Sequence, residues 1–195
     1  MTRARVLKAL EATLLAAGLI IGGWCGAVLI EARHVSKLPL PPAPVAEMET
    51  RAGPVAPGPP VIPQGTVIAK FEAPTVGLSA TVLEGSTDDV LQKAAGHIEE
   101  TALPGAAGNV GIAGHRDTTF RAVRNLKVGD PLLLRTNKGT FEYRIKKTMI
   151  VNPDAVWVLN PTDDPVLTLV TCYPFNFIGH APKRYIIQAD MVGTR

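Results

Sequence analysis

Residues 166–174 read VLTLVTCYP, and this stretch decides the fold of the chain. Its first six residues are apolar or β-branched, which is the composition of a buried β-strand. Pro174 has no N–H group to donate to a neighbouring strand, so the strand must end close to it. The stretch predicts a strand over residues 166–171, with Cys172 at its C-terminal end, where a rigid backbone presents a side chain at the rim of a sheet.

Segments of the same kind lie on both sides of this strand. We predict further strands over residues 66–71, 77–83, 109–113, 131–135, 140–151 and 184–192. The turn Asn137-Lys138-Gly139 joins two of them as a hairpin, since Asn and Gly accept the backbone angles of tight turns. Many short strands separated by turns indicate a mainly β domain, a sandwich or a barrel, over residues 65–195.

Two segments of this domain predict helix instead. Residues 88–95 predict a short helix with Thr87 as its N-cap, acidic residues in its first turn and Gly96 at its end. Residues 117–124 predict a helical turn. A domain of this size can bury one hydrophobic core.

The N-terminal part of the chain has a different composition. Residues 12–30 are nineteen positions without a charge, and a helix of ~20 apolar residues spans the hydrocarbon core of a bilayer. Arg3, Arg5 and Lys8 precede this segment, which by the positive-inside tendency keeps residues 1–11 in the cytoplasm. We predict a transmembrane signal anchor in the cytoplasmic membrane, with a single pass and the rest of the chain outside.

A cleaved signal peptide and a lipid anchor account less well for the apolar segment. A cleaved signal peptide typically has an apolar region of ~7–15 residues, which is shorter than this one. A lipid anchor on Cys25 is disfavoured because the bulky Trp24 stands where a small residue is expected.

The segment that follows, residues 31–64, is predicted to be a linker. Residues 38–63 of this segment contain nine prolines, so that stretch cannot form a regular helix or a sheet ladder. Such a stretch predicts an extended, polyproline-like spacer of about 3.1 Å per residue. The spacer would hold the β domain away from the membrane.

The cysteine content and the net charge limit the range of possible functions. The two cysteines are Cys25, in the predicted span, and Cys172, in the exported domain, so they cannot pair within the chain. A leftover cysteine in an exported protein is a candidate reactive thiol, although a buried cysteine can also be an inert apolar side chain. The net charge of +3 comes from dispersed basic residues, which argues against nucleic acid as a partner.

Three residues at predicted strand ends have side chains suited to acyl transfer. Cysteine is a nucleophile as the thiolate, which a nearby imidazolium stabilises, and Cys172 is placed at a rim where this is possible. His115 follows the strand over 109–113 and could donate a proton to a departing amine. Arg184 opens the last strand, and its permanently charged guanidinium suits a developing oxyanion. Each residue could have an ordinary structural role when taken alone, and the combination indicates catalysis.

The same residues resemble a known family. The segment Thr168-Leu169-Val170-Thr171-Cys172 matches the Thr-Leu-x-Thr-Cys motif of the sortases in full. The tripeptide Gly114-His115-Arg116 resembles the sortase histidine motif, and Arg184 stands where the sortase arginine is expected. The segments AGHRDTTFR and GHAPKRYII are most similar to the corresponding sequences of class D sortases. The resemblance covers residues 65–195, and an N-terminal anchor with a linker suits the layout of the family.

This resemblance implies an eight-stranded sortase-type β-barrel with short helices. It also implies a transpeptidase that cleaves a Leu-Pro-x-Thr-Gly-like sorting signal after Thr, through a thioester on Cys172. In that mechanism His115 is the acid and base, Arg184 steadies the oxyanion, and Thr171 helps to position the substrate or the oxyanion. The implied partners are surface or pilin-like proteins that carry the signal, and an amine acceptor such as cell-wall peptide.

Two alternatives concern the site itself. His180 lies close to Cys172 in the sequence and is the competing base, but His115 is preferred because its motif matches. A zinc site from His115, Asp117, Cys172 and His180 is conceivable from the ligand types, yet no short ligand spacing supports it. We predict no required metal, because the acidic residues do not form a recognisable calcium loop. We also predict no cofactor, because the implied thioester conserves the activation of the acyl group.

Three alternatives concern the function. A cysteine peptidase that only hydrolyses its substrate would use the same residues, with water as the acceptor. A non-catalytic, membrane-tethered β domain that binds a partner would leave Cys172 inert. A transpeptidase of the L,D type is set aside, because Val170 and Thr171 precede the cysteine in place of the His and Gly of that class.

Overall fold

A computed structural model describes residues 3–35, 62–177 and 179–195. The long helix α1, Arg3–Val35, contains the whole predicted span. Among the described residues it is the one helix long and apolar enough to cross a membrane, with its most apolar window at Leu10–Ala27. Most of the predicted linker lies outside the described residues.

Eight strands close into a barrel in the order β1-β2-β3-β4-β7-β8-β6-β5, which confirms the predicted eight-stranded fold. Most neighbours are antiparallel, but β2 with β3 and β4 with β7 run parallel. The strands are β1 Val67–Ala73, β2 Leu78–Glu84, β3 Ala95–His97, β4 Asn109–Ala113, β5 Pro131–Thr136, β6 Gly139–Val151, β7 Val166–Tyr173 and β8 Lys183–Thr194.

Short helices lie in the connections between strands. They are the α-helix α2, Asp88–Leu91, and the 3₁₀ helices Pro74–Val76, Arg121–Asn125 and Val156–Leu159. The predicted hairpin is present, with Thr136 opposite Gly139 across a two-residue turn. The predicted helical turn at 117–124 overlaps one of the 3₁₀ helices.

The predicted helix over residues 88–95 is wrong in its second half. Helix α2 ends at Leu91, and Ala95 already belongs to β3, which pairs with both β2 and β4. A Cβ atom on Gly96 would lie 2.3 Å from the carbonyl oxygen of Gly85, so the glycine permits a close backbone approach rather than ending a helix. Thr87 has the extended backbone of an N-cap, but its side chain makes no capping hydrogen bond.

Side chains alternate between the two faces of each strand, and this separates the core of the barrel from the face that carries Cys172. Leu167 and Leu169 of β7 and Ile187 and Ala189 of β8 are buried in the main core cluster. Successive side chains of a strand point to opposite faces, so Cys172 and the residues in step with it lie on the outer face of the barrel. Phe71 and Phe120 close part of the core in an edge-to-face contact with ring centroids 5.9 Å apart.

Candidate active site

The topology brings the ends of three strands to one end of the barrel. Strands β4 and β7 are parallel neighbours, with Ala113 beside Val170, so both strands finish at the same end of the barrel. Strand β8 begins at that end because it runs antiparallel to β7. This arrangement is the reason that residues far apart in the sequence meet there.

Cys172 and Arg184 are direct partners across the β7–β8 ladder. Directly opposite residues of an antiparallel pair have Cβ atoms about 4.5–5.5 Å apart and share one face of the sheet. Both side chains are half-buried. Arg184 therefore stands opposite Cys172 on a rigid part of the backbone.

His115 is held at the same end of the barrel by three hydrogen bonds of the backbone around it. The N–H of Gly114 donates to the carbonyl oxygen of Val170 at 3.1 Å, and the hydroxyl of Thr171 donates to the carbonyl oxygen of Gly114 at 2.6 Å. The N–H of Phe120 then donates to the carbonyl oxygen of His115 at 2.8 Å. The chain that carries His115 is thus fixed to β7, one residue before Cys172.

Gly114 is required in this arrangement by packing. A Cβ atom at this position would lie 2.7 Å from atoms of the Phe120 ring, which is itself fully buried. Close packing of the chain against an aromatic ring is one reason for a glycine in or next to a strand. The Gly-His pair is therefore a structural unit as well as a motif.

The three predicted residues line one cleft of about 280 Å³. Its lining consists of His115, Arg116, Asp117, Cys172, Gly179, His180, Ala181 and Arg184. The competing histidine, His180, therefore lies in the same cleft but is more exposed than His115. Thr171 is buried and is not among the lining residues, and its hydroxyl donates to the carbonyl oxygen of Gly114, directly before His115.

Guanidinium groups outnumber carboxylates in the cleft lining, since Arg116 and Arg184 accompany the carboxylate of Asp117. Nη1 of Arg184 donates to the carbonyl oxygens of Ala181 and Lys183, at 3.3 and 3.1 Å. Over the part of the chain that the structure describes, no three His, Cys, Asp or Glu side chains come together as metal ligands. The zinc alternative therefore finds no ligand set within that part.

Two residues near these strands were given no role of their own from the sequence. Arg116 donates from Nη2 to two carbonyl oxygens more than sixty positions away, which no local pattern reveals. His97 is fully buried, with Nδ1 3.0 Å from Oε2 of Glu84 and Nε2 3.0 Å from the carbonyl oxygen of Ala102. The sequence offered no context for His97, because its partners come from β2 and from the connection after β3.

The closed eight-stranded barrel thus places a thiol, an imidazole and a guanidinium in one cleft, a set of groups that is chemically suited to acyl transfer. The sequence profile of the sortase domain matches residues 71–192. The chain is 34% identical to sortase D of Bacillus subtilis (strain 168), over 95% of this chain and 98% of that protein. It belongs to the sortase family.

Solved structures agree with this assignment. A sortase D5 transpeptidase of Clostridium perfringens is 36% identical with a TM-score of 0.63, over 68% of this chain and 83% of that one. A sortase C of Clostridium perfringens, solved with a C-terminal cell wall sorting motif, is 27% identical with a TM-score of 0.62, over 68% and 74%.

Proposed function

We propose that this protein is a membrane-anchored cysteine transpeptidase that cleaves a Leu-Pro-x-Thr-Gly-like sorting signal after Thr and transfers the acyl group to an amine. The observation that carries the proposal is the pairing of Cys172 with Arg184 in register, with His115 lining the same cleft. Family membership supports the transpeptidase class, and the roles below follow from the chemistry of the three side chains.

The first half-reaction forms a thioester. The Cys172 thiolate attacks the carbonyl carbon of the signal threonine, and the carbonyl oxygen becomes an oxyanion that Arg184 stabilises with its N–H groups. Collapse of this intermediate breaks the C–N bond. His115, as imidazolium, donates its proton to the departing amine.

The second half-reaction resolves the thioester. An amine of the acceptor attacks the same carbonyl carbon, and neutral His115 accepts the proton that the amine loses. A second tetrahedral oxyanion is stabilised by Arg184 and collapses to a new amide and the Cys172 thiolate. The net change exchanges one amide for another, so no external energy source is required.

The geometry favours His115 over His180 as the acid and base. The backbone on both sides of His115 is tied to β7 and to Phe120, and the side chain is half-buried. His180 is exposed in the connection between β7 and β8. A catalytic group gains from a fixed position, because small displacements of a reacting group cost much of the rate.

The location is part of the same proposal. Helix α1 has the length and apolar character of a span, and the basic residues that precede it favour a cytoplasmic N-terminus. The barrel would then face the cell exterior. Surface or pilin-like proteins would supply the sorting signal, and cell-wall peptide or another protein would supply the amine.

The test uses the full-length protein in detergent micelles. It is incubated with Leu-Pro-x-Thr-Gly-like peptides and with versions ending in Ala, and intact mass spectrometry detects an acyl adduct. The Cys172→Ala variant is the control. We expect an adduct that requires Cys172 and that an added amine releases as a new amide.

Either of two results would change the conclusion. Release of the adduct to water alone, even with excess amine, would indicate a hydrolase. A folded wild-type protein that forms no adduct with any peptide, and whose Cys172 resists alkylation, would indicate a binding domain.

A further inference from the structure

Arg116 connects two sides of the cleft. Its Nη2 atom donates to the carbonyl oxygens of Phe177 and Gly179, at 2.7 and 3.0 Å. Both acceptors lie among residues 174–177 and 179–182, the described part of the segment that joins β7 to β8, which is called the β7–β8 connection below. The arginine next to His115 is thereby tied to the segment between Cys172 and Arg184.

A second guanidinium holds the far end of the same connection. Nη1 of Arg184 donates to the carbonyl oxygens of Ala181 and Lys183. An arginine that is to bind an oxyanion must aim N–H groups at the reacting carbonyl, and these two backbone oxygens compete for them. If the β7–β8 connection moved, the direction of the Arg184 guanidinium would change with it.

The Arg116 guanidinium is also incompletely satisfied. Its Nη1 atom is buried and has no hydrogen-bond acceptor within the described residues. A buried charged donor without a partner costs free energy, and such groups in native structures often mark functional positions. Gly179, one of the two anchoring points, has φ of +91°, a conformation that a residue with a side chain rarely adopts.

We propose that Arg116 is a positioning residue: it holds the β7–β8 connection in place so that Arg184 can stabilise the oxyanion at Cys172. The inference rests on the proposed transpeptidase function and adds a residue to it. Arg116 acts through Arg184, because its side-chain hydrogen bonds to described residues go to the β7–β8 connection. Its loss therefore lowers the rate of acyl transfer much more than it lowers the reactivity of the thiol.

The experiment compares Arg116→Ala with Arg121→Ala in the full-length protein. Arg121 is an exposed arginine five positions later that does not line the cleft. We expect Arg116→Ala to lower kcat for acyl transfer roughly 10- to 100-fold with little change in KM, as misplacement of a catalytic group does. Arg121→Ala keeps the wild-type kcat.

Alkylation of Cys172 by iodoacetamide separates positioning from a structural defect. This reaction needs the thiolate but creates no oxyanion, so Arg184 can affect it only through the electrostatic effect of its charge on the thiolate. We expect the rate at the Cys172 peptide, followed by mass spectrometry, to fall far less than kcat in Arg116→Ala. Parallel losses of alkylation, kcat and thermal stability would show a merely structural role and overturn the proposal.

The double variant Arg116→Ala/Arg184→Ala tests whether Arg116 acts through Arg184. We expect its kcat to equal that of Arg184→Ala alone, because the first substitution has nothing left to misplace. Gly179→Ala perturbs the same contact from the other side, and we expect a fall in kcat that is less than additive with Arg116→Ala.

The outcomes separate this inference from the function on which it rests. If wild-type protein forms no acyl adduct, the proposed function fails. If wild-type protein is active and Arg116→Ala has the same kcat, or if its loss adds fully to that of Arg184→Ala, only the positioning role fails.

Discussion

Two histidines near neighbouring strands of the barrel have opposite environments. His97 ends β3 and is completely buried, with both ring nitrogens close to polar partners. His115 lies just past β4, is half-buried, and its ring makes no hydrogen bond to the described residues. Because β3 and β4 are antiparallel, β3 runs away from the end of the barrel that carries Cys172.

The hydrogen bonds of His97 also fix where its protons lie. A carbonyl oxygen only accepts, so Nε2 must carry the proton that it gives to Ala102. Nδ1 lies 3.0 Å from Oε2 of Glu84, and the two side chains form a buried pair. A buried histidine with paired ring nitrogens contributes to the fold, whereas a cleft histidine whose ring pairs with no described residue has nitrogens that a substrate can approach.

The largest effect is expected from a substitution in the cleft, and it tests the difference between the two histidines. We expect His115→Ala to lower kcat/KM for acyl transfer by on the order of 10³-fold, within the range for loss of a general acid and base. The melting temperature should change little, since the ring pairs with no described residue. Peptide-transfer kinetics and a thermal melt of the same sample measure both quantities.

The matched variant for this prediction is His180→Ala. We expect it to keep most of the activity, because His180 is exposed in the β7–β8 connection. If His180→Ala lost more activity than His115→Ala, the assignment of the acid and base would have to be reversed.

The corresponding change at the buried histidine should act on stability. We expect His97→Ala to lower the free energy of unfolding by about 3 kcal/mol, because it leaves the Glu84 carboxyl group buried without its partner. Chemical denaturation measures the loss. At temperatures where the variant stays folded, its kcat/KM should remain near that of the wild type.

Glu84→Gln is the control that sharpens this prediction. The amide nitrogen of Gln can donate to Nδ1 of a neutral imidazole, so the paired geometry survives and the loss should be below about 1 kcal/mol. Equal losses from His97→Ala and Glu84→Gln would mean that the charge of the pair, rather than its hydrogen bonds, stabilises the fold.

The sequence predicted which residues line the cleft better than it predicted the hydrogen bonds that hold the cleft together. The strand that ends near Cys172 and the strand opened by Arg184 were both visible from β-branched and apolar composition, and their pairing completes the site. Strand β3 was missed because three residues, Ala95–His97, carry too little pattern. The contacts of Arg116 were missed because they join segments about sixty positions apart, which only the barrel topology brings together.

A smaller effect on both stability and activity is expected at Gly114. An added Cβ would lie 2.7 Å from the buried Phe120 ring, so the ring or the histidine loop must shift. We expect Gly114→Ala to cost about 2 kcal/mol of stability, as overpacking in a core does, and to lower kcat because His115 moves. Gly193→Ala is the control, since a Cβ there meets nothing within 4 Å. Normal stability and activity in Gly114→Ala would show that the loop absorbs the methyl group.

The smallest effect at neutral pH is expected in the core, at Tyr143. Its hydroxyl is buried with no hydrogen-bond partner among the described residues, and burial raises the pKa of Tyr143 to about 12. Tyr143→Phe removes an unpaired polar atom, so at pH 7 stability should stay equal or rise by up to about 1 kcal/mol.

The pH dependence gives the same variant a sharper readout. Between pH 10 and about 12 the unfolded tyrosine loses its proton while the folded one keeps it, so the wild type loses stability as pH rises through this window. A shift of two units corresponds to roughly 3 kcal/mol at most. Other groups titrate in both proteins, so the stability difference between them isolates Tyr143. That difference should grow in favour of Tyr143→Phe above pH 10, and a difference that stays constant would mean that the hydroxyl reaches water or a partner in solution.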